Sequence, residues 1–196
     1  MSYYIVGLGN PGEQYEKSRH NTGRIVLEYF GKKNKYTEWI YDKKLNARTA
    51  FGKLGKEKVI LIEPETYMNK SGTSLRQIIR SKKEAEKLIL LHDDIDLPLG
   101  GFKISFDRGG AGHRGVQSVI GAVKTRCFTR IRVGISPQTP SGKTKKPHGK
   151  EPVAEFILGD FSSLQMKRLQ AVLPKITEAI SVIITENRGR AMNLFN

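Results

Sequence analysis

An α/β fold follows from three features of the chain. Apolar runs of strand length alternate with helical periodicities, no internal repeat interrupts them, and "KLILLH" at 87–92 is apolar enough for a strand covered on both faces. The expected architecture is a single domain over 1–196, a twisted mixed β-sheet with helices on both faces. A chain of 196 residues can bury one sizeable core, and no shift of composition marks a second domain.

Taken in order, residues 3–8 read as a short buried strand. From Asn21 to about Lys33, an Asn/Thr start is followed by Ile25, Val26, Tyr29 and Phe30 at helical spacing. Residues 45–54 and 58–63 read as neighbouring strands joined by a turn around Gly55. The segment 68–80 reads as entering a helix with Leu75, Ile78 and Ile79 inward. After the 87–92 strand, a turn through Pro98, Gly100 and Gly101 leads to a strand near 102–106. A helix from about His113 to Lys124 carries Val116, Val119, Ile120 and Val123 inward, and 130–136 alternates as a strand does. The last helix shows a stripe of Leu169, Val172, Leu173, Ile176, Ile180 and Ile183, with Pro174 expected to bend it. Residues 137–152 hold four prolines and four lysines without a core residue, and read as an exposed basic loop.

The net charge of +15 and a pI near 9.9 favour a polyanionic partner. The segment 101–150 holds eleven Lys or Arg and one acid, Asp107, and so supplies +10 of that charge. Its arginines lie among glycines and strand residues, not along a solvated helix face, which favours a binding surface over mere solubility. The absence of a long apolar run, of a signal-like start and of any cysteine but Cys127 predicts a cytoplasmic protein off the membrane.

Near the start, Gly7, Gly9 and Gly12 spell G-x-G-x-x-G. A dinucleotide site requires a helix beginning at those glycines, but Pro11 sits inside the motif and "EQYEKSRH" follows without apolar periodicity. Glu28, at the spacing of the ribose-binding acid, lies within the helical pattern. The "SGKT" at 141–144 has Pro137 where a P-loop needs its first glycine. The glycines are better read as a tight turn, leaving Asn10, Tyr15, His20 and Asn21 crowded together to be explained.

No G-x-S-x-G elbow is present, and the four histidines show no metal-ligand spacing, so neither a serine nucleophile nor a metal is expected. General-base chemistry fits better. His20 follows the first strand, where open α/β sheets place ligands. Asp93, Asp94 and Asp96 leave the end of the 87–92 strand, and any of the three could orient an imidazole. They could equally form an Asx turn before Pro98 or bind magnesium.

Six segments in order, "VGLGNPGEQYEKSRHNTG" (6–23), "PETYMNKSG" (64–72), "HDDIDLPLGG" (92–101), "GGAGHRGVQSV" (109–119), "FTRIRVGI" (128–135) and "FILGDF" (156–161), resemble bacterial-type peptidyl-tRNA hydrolase over essentially the whole chain. The resemblance implies a single α/β domain that cleaves the ester joining a peptide to the ribose of tRNA without a metal; no cofactor is expected, and nothing in the sequence argues for an obligate oligomer, so a monomer is expected. It makes His20 the base that activates water, Asp93 its orienting partner and Asn10 a contact near the scissile ester. Tyr15, Tyr67 and Asn69 would hold peptide and acceptor end, with Met68 beside the imidazole and His113 and Arg114 among the binding residues. Arg132 and its basic neighbours would meet the tRNA backbone.

One position departs from the family. Its glycine-rich segment usually reads G-H-N-G, and here it reads "GHRG", with Arg114 replacing an Asn that helps hold substrate. Arginine there gains charge for a phosphate or carbonyl but loses an acceptor; alternatively, catalysis is retuned. Asp107 and Arg108 also replace a plainer apolar-glycine run. A non-catalytic RNA-binding protein on the same fold is the competing expectation.

Overall fold

The computed structural model describes residues 2–139, 141–147 and 149–196. Seven strands form one mixed sheet. β1 (Tyr3–Gly7), β4 (Glu57–Pro64), β5 (Leu88–Pro98) and β7 (Thr129–Ser136) make a parallel centre. β2 (Ile40–Asp42) and β3 (Ala47–Leu54) extend it antiparallel on one side, and β6 (Phe102–Phe106) closes the other, giving the order β2-β3-β4-β1-β5-β7-β6.

Alternating residues of the central strands feed two cores. Ile5, Leu61, Ile89 and Leu91 face α1 (Thr22–Lys33) and α5 (Ser163–Thr185), beside which α6 (Arg188–Phe195) packs. Val6, Ile62, Leu88 and Leu90 face the other way, against Val116 and Val119 of α3 (Arg114–Val123). Helices on both faces explain why β5 begins apolar at every position. Each such side chain fully removed from water contributes about 1.5–3 kcal/mol. No helix among the described residues is long and apolar enough to cross a membrane.

β1 lies between β4 and β5, so the chain departs to one side of it and later returns on the other. The crevice outside the carboxyl ends of these strands is a topological switch point, the usual ligand position in open α/β sheets. Gly23 brings α1 down onto that edge: a Cβ there would fall 2.3 Å from the Leu91 carbonyl oxygen and 2.6 Å from Leu8 backbone atoms. The glycine turn after β1 starts no helix. It runs into a 3₁₀ turn at Glu13–Tyr15, with Gly12 at φ 105°, and then a second at Arg19–Asn21. A pyrophosphate-binding helix start is therefore missing from the place a dinucleotide site needs it.

Several elements differ from expectation. The segment 68–80 is a 3₁₀ stretch at Met68–Ser74, not a regular helix, and a short α2 follows at Lys82–Ala85. Ser71 and Thr73 hydroxyls bond back to the carbonyls of Met68 and Lys70, and Gly72 is pressed on α3, where a Cβ would meet the Ser118 carbonyl oxygen at 2.1 Å. Such local bonds compete with α-helical ones. β5 runs on to Pro98, so the acids expected to leave the end of the 87–92 strand lie within it. The basic loop ends sooner: α4 (Lys150–Leu158) takes its last three residues, with Pro152 in the first turn, where a missing N–H does no harm. Pro140 and His148 of that loop lie outside the described residues. α5 runs through Pro174 as one helix.

Candidate active site

The switch-point crevice gathers side chains from four elements. His20 comes from the 3₁₀ turn before α1, and Asp93 from the middle of β5; both are buried. His20 Nδ1 lies 3.0 Å from each Asp93 carboxylate oxygen. His113 contributes from the far face, its Nε2 2.9 Å from Asp93 Oδ1.

The protons of this trio follow from its neighbours. His113 is the N-cap of α3, and its Nδ1 accepts the N–H groups of Gly115 at 3.1 Å and Val116 at 3.3 Å. Its proton therefore sits on Nε2 and is donated to Asp93. His20 Nδ1 likewise donates to the same carboxylate, which leaves His20 Nε2 with a free lone pair, the form a general base needs. Burial alone would favour a protonated Asp93. The hydrogen bonds that His20 and His113 donate, and the attraction of either ring when it is protonated, outweigh it and hold the carboxyl well below the usual carboxylate range.

His92 stands behind the trio. Its Nδ1 donates to the Asp93 carbonyl at 2.7 Å, and its ring meets His113 edge-on at 4.8 Å. Burial, reinforced by His113, holds its pKa well below that of a free imidazole, so it stays neutral. Nothing in the sequence singled it out, since a histidine ending an apolar strand reads as core.

The three acids after the apolar run divide their work. Asp93 takes the histidines. Asp94, on the opposite face of β5, accepts Arg132 Nε at 2.6 Å through Oδ2, and its Oδ1 accepts the Asp96 N–H at 2.8 Å in an Asx-type contact. Asp96 pairs with Lys146 of the basic loop. Among the described residues, His20, Asp93 and His113 are the one histidine–carboxylate group close enough to share a metal. The His113 tautomer does not suit one: a cation on Nε2 would push the proton onto Nδ1, against two backbone donors.

Asn10 ties the first loop to the next. Its Oδ1 accepts the Met68 N–H at 2.9 Å, and its backbone exchanges bonds of 2.8 and 2.9 Å with the Asn21 side chain. The carboxamide NH₂ is thus the end of Asn10 left for a ligand. Asn21 stands at the start of α1 as the sequence suggests, but its side chain braces Asn10 and does not cap the helix. Met68 is buried against the start of α3, where a Cβ on Gly115 would meet its Sδ at 2.4 Å. Tyr67, Asn69 and Arg114 are exposed on the rim and Tyr15 is half-buried.

Basic groups flank the crevice. Arg130 and Arg132 share a face of β7, and Lys103 lies opposite Arg132 on β6. Lys143, Lys145, Lys146 and Lys150 are exposed.

The chain has known relatives. The family model described as peptidyl-tRNA hydrolase matches residues 4–196. The chain belongs to the peptidyl-tRNA hydrolase family. A peptidyl-tRNA hydrolase of Thermodesulfovibrio yellowstonii is 38% identical over 205 residues, covering 98% of this chain and 97% of its own. One from Dehalococcoides mccartyi is 34% identical, with 98% of each chain covered. The crystal structure of peptidyl-tRNA hydrolase from Acinetobacter baumannii superposes with a TM-score of 0.88 at 28% identity, covering all of this chain and 94% of the other.

Proposed function

We propose that this member of the family hydrolyses the ester between a peptide and the ribose of tRNA, acting as a cytoplasmic monomer without a metal. The observation that carries the chemistry is the pair of 3.0 Å contacts from His20 Nδ1 to Asp93, which leaves Nε2 unprotonated. Nε2 takes a proton from water as the water oxygen attacks the ester carbonyl carbon. The Asn10 NH₂, left free while its amide oxygen accepts the Met68 N–H, serves as a donor for the oxyanion that develops and adds no charge of its own. Collapse breaks the bond to the ribose oxygen, which receives the proton back from His20, releasing a peptide acid and free tRNA.

Around this centre, Tyr15, Tyr67 and Asn69 hold peptide and acceptor end, Met68 supports the imidazole side, and His113 holds Asp93. Arg114 and Arg132 meet phosphate. Arg132 spends Nε on Asp94, so its two terminal nitrogens remain for a phosphate oxygen pair. Backbone contacts of this kind give affinity without sequence information, as suits one enzyme serving many tRNAs.

Binding RNA without catalysis would need the basic surface but not a doubly hydrogen-bonded, buried carboxylate behind an imidazole. Incubation with N-acetylaminoacyl-tRNA and with free aminoacyl-tRNA tests the proposal. Faster cleavage of the blocked ester is expected; hydrolysis of neither above the buffer rate would refute it.

A further inference from the structure

Arg19 precedes His20, yet its side chain leaves the crevice altogether. Nη1 donates to the Phe156 carbonyl at 3.0 Å and Nη2 to Gln165 Oε1 at 3.1 Å. The guanidinium carbon lies 4.6 Å from the Phe156 ring centroid and 5.7 Å from that of Phe161. Gln165 is no loose partner: the same Oε1 accepts the Ser162 N–H at 3.0 Å in the capping box that starts α5.

The backbone repeats the attachment. Arg19 N–H donates to the Gly159 carbonyl at 3.1 Å, Phe161 N–H to the Lys17 carbonyl at 3.0 Å, and Ser18 bridges to Asp160. A Cβ on Gly159 would fall 2.9 Å from Arg19 Nη1, so the guanidinium lies directly against the Gly159 backbone. On the other flank, Thr22 Oγ1 donates to the Arg19 carbonyl at 2.7 Å and joins the turn to α1. The catalytic turn is therefore held between two anchors: His20 on Asp93, and Arg19 on the segment 156–165.

We infer that Arg19 is a positioning residue that fixes the 18–21 turn, and with it the placement of His20 Nε2, by docking on the α4–α5 junction. This rests on the reading of His20 as the base. A guanidinium suits the task because its planar fork serves two acceptors while its face covers an aromatic ring. Lysine can keep the ring contact and one hydrogen bond, but not both hydrogen bonds in that geometry.

The test compares parent, Arg19→Ala, Arg19→Lys and His20→Ala on N-acetylaminoacyl-tRNA, with tRNA affinity and Tm measured in parallel. In Arg19→Ala, kcat is expected to fall between about 10- and 100-fold, as for a misplaced catalytic group, with KM and tRNA affinity nearly unchanged. Arg19→Lys should recover part of that kcat, and the low-field proton signal of His20 Nδ1–H should broaden in Arg19→Ala relative to parent. Parental kcat in Arg19→Ala, or a loss confined to KM and tRNA affinity, would overturn the inference. If Arg19→Ala is unfolded at the assay temperature, Arg19→Lys decides: reduced kcat at parental Tm supports the role, and parental kcat refutes it. Turnover retained by His20→Ala would remove the base assignment itself, whereas an inactive His20→Ala beside a fully active Arg19→Ala removes only the positioning role.

Discussion

At the scale of single residues, the chemistry of the site depends on tautomers that neighbouring groups dictate. His113 caps a helix with one ring nitrogen and must therefore donate with the other, which leaves Asp93 accepting from two imidazoles. The sequence made His20 and a following acid legible, because a polar loop after a first strand and an acid after a buried strand both lie at the ligand-binding edge. Composition and spacing alone could not choose among Asp93, Asp94 and Asp96, and the choice of Asp93 rested on the family resemblance, since all three are short carboxylates and only the β5 register puts the first on one face and the second on the other. Away from the crevice, Glu63 is a fully buried carboxyl without a hydrogen bond, with Arg48 Nη1 at 3.3 Å. Burial first, and then nearby Glu28, raise its pKa to about 8 despite Arg24 and Arg48. The folded state thus holds a proton that the unfolded chain releases near pH 4.5. Stability from this group is complete below that pH and is lost as pH rises towards 8, by a few kcal/mol at most. Glu63→Gln should raise Tm clearly above pH 8 and hardly at pH 5; an equal gain at both pH values would contradict a protonated Glu63.

At the scale of elements, periodicity revealed the parts with a one-sided core. α1 and α3 lie where apolar spacing put them, and α3 begins one residue after the expected start, because His113 serves as its cap. Elements that bury little were illegible. β2 is three residues long with Ile40 and Tyr41 exposed, and α4 contains no fully buried residue. The 3₁₀ stretch after Tyr67 escaped notice because it depends on Gly72 pressed against α3, a long-range partner, as well as on the local bonds of Ser71 and Thr73. Gly23 shows how one element sets the site: α1 reaches the sheet closely enough to place the preceding turn against Asp93. Gly23→Ala is expected to destabilise the protein by about 1–3 kcal/mol, as overpacking does, read from the urea midpoint at unchanged slope. An unaltered midpoint would show that the contact of α1 with Leu8 and with Leu91 of β5 yields freely.

For the whole molecule, only part of the charge meets the edge that the fold prepares. Of the +10 between residues 101 and 150, Arg132 and Lys146 are aimed by the acids that follow Asp93, whereas Arg108, Lys124 and Arg126 lie towards the amino end of β7, away from the crevice. That placement was only half legible. Composition identified the basic segment, but the partners that hold two of its cations lie about forty to fifty residues earlier in the chain. If this surface binds the tRNA backbone, affinity falls steeply as salt rises, and Arg132→Ala lowers both the affinity and the slope of log K against log salt by about one ion's worth. A slope unchanged by that substitution would take Arg132 out of the phosphate contact.

The central claim is that His20, oriented by Asp93, is the base. Its most direct measurement is single-turnover hydrolysis of N-acetylaminoacyl-tRNA by His20→Ala, with tRNA binding measured on the same preparation. The pair of hydrogen bonds to Asp93 predicts that turnover falls by at least about 10²-fold while tRNA affinity stays close to parental. Hydrolysis at the parental rate with binding intact would contradict it.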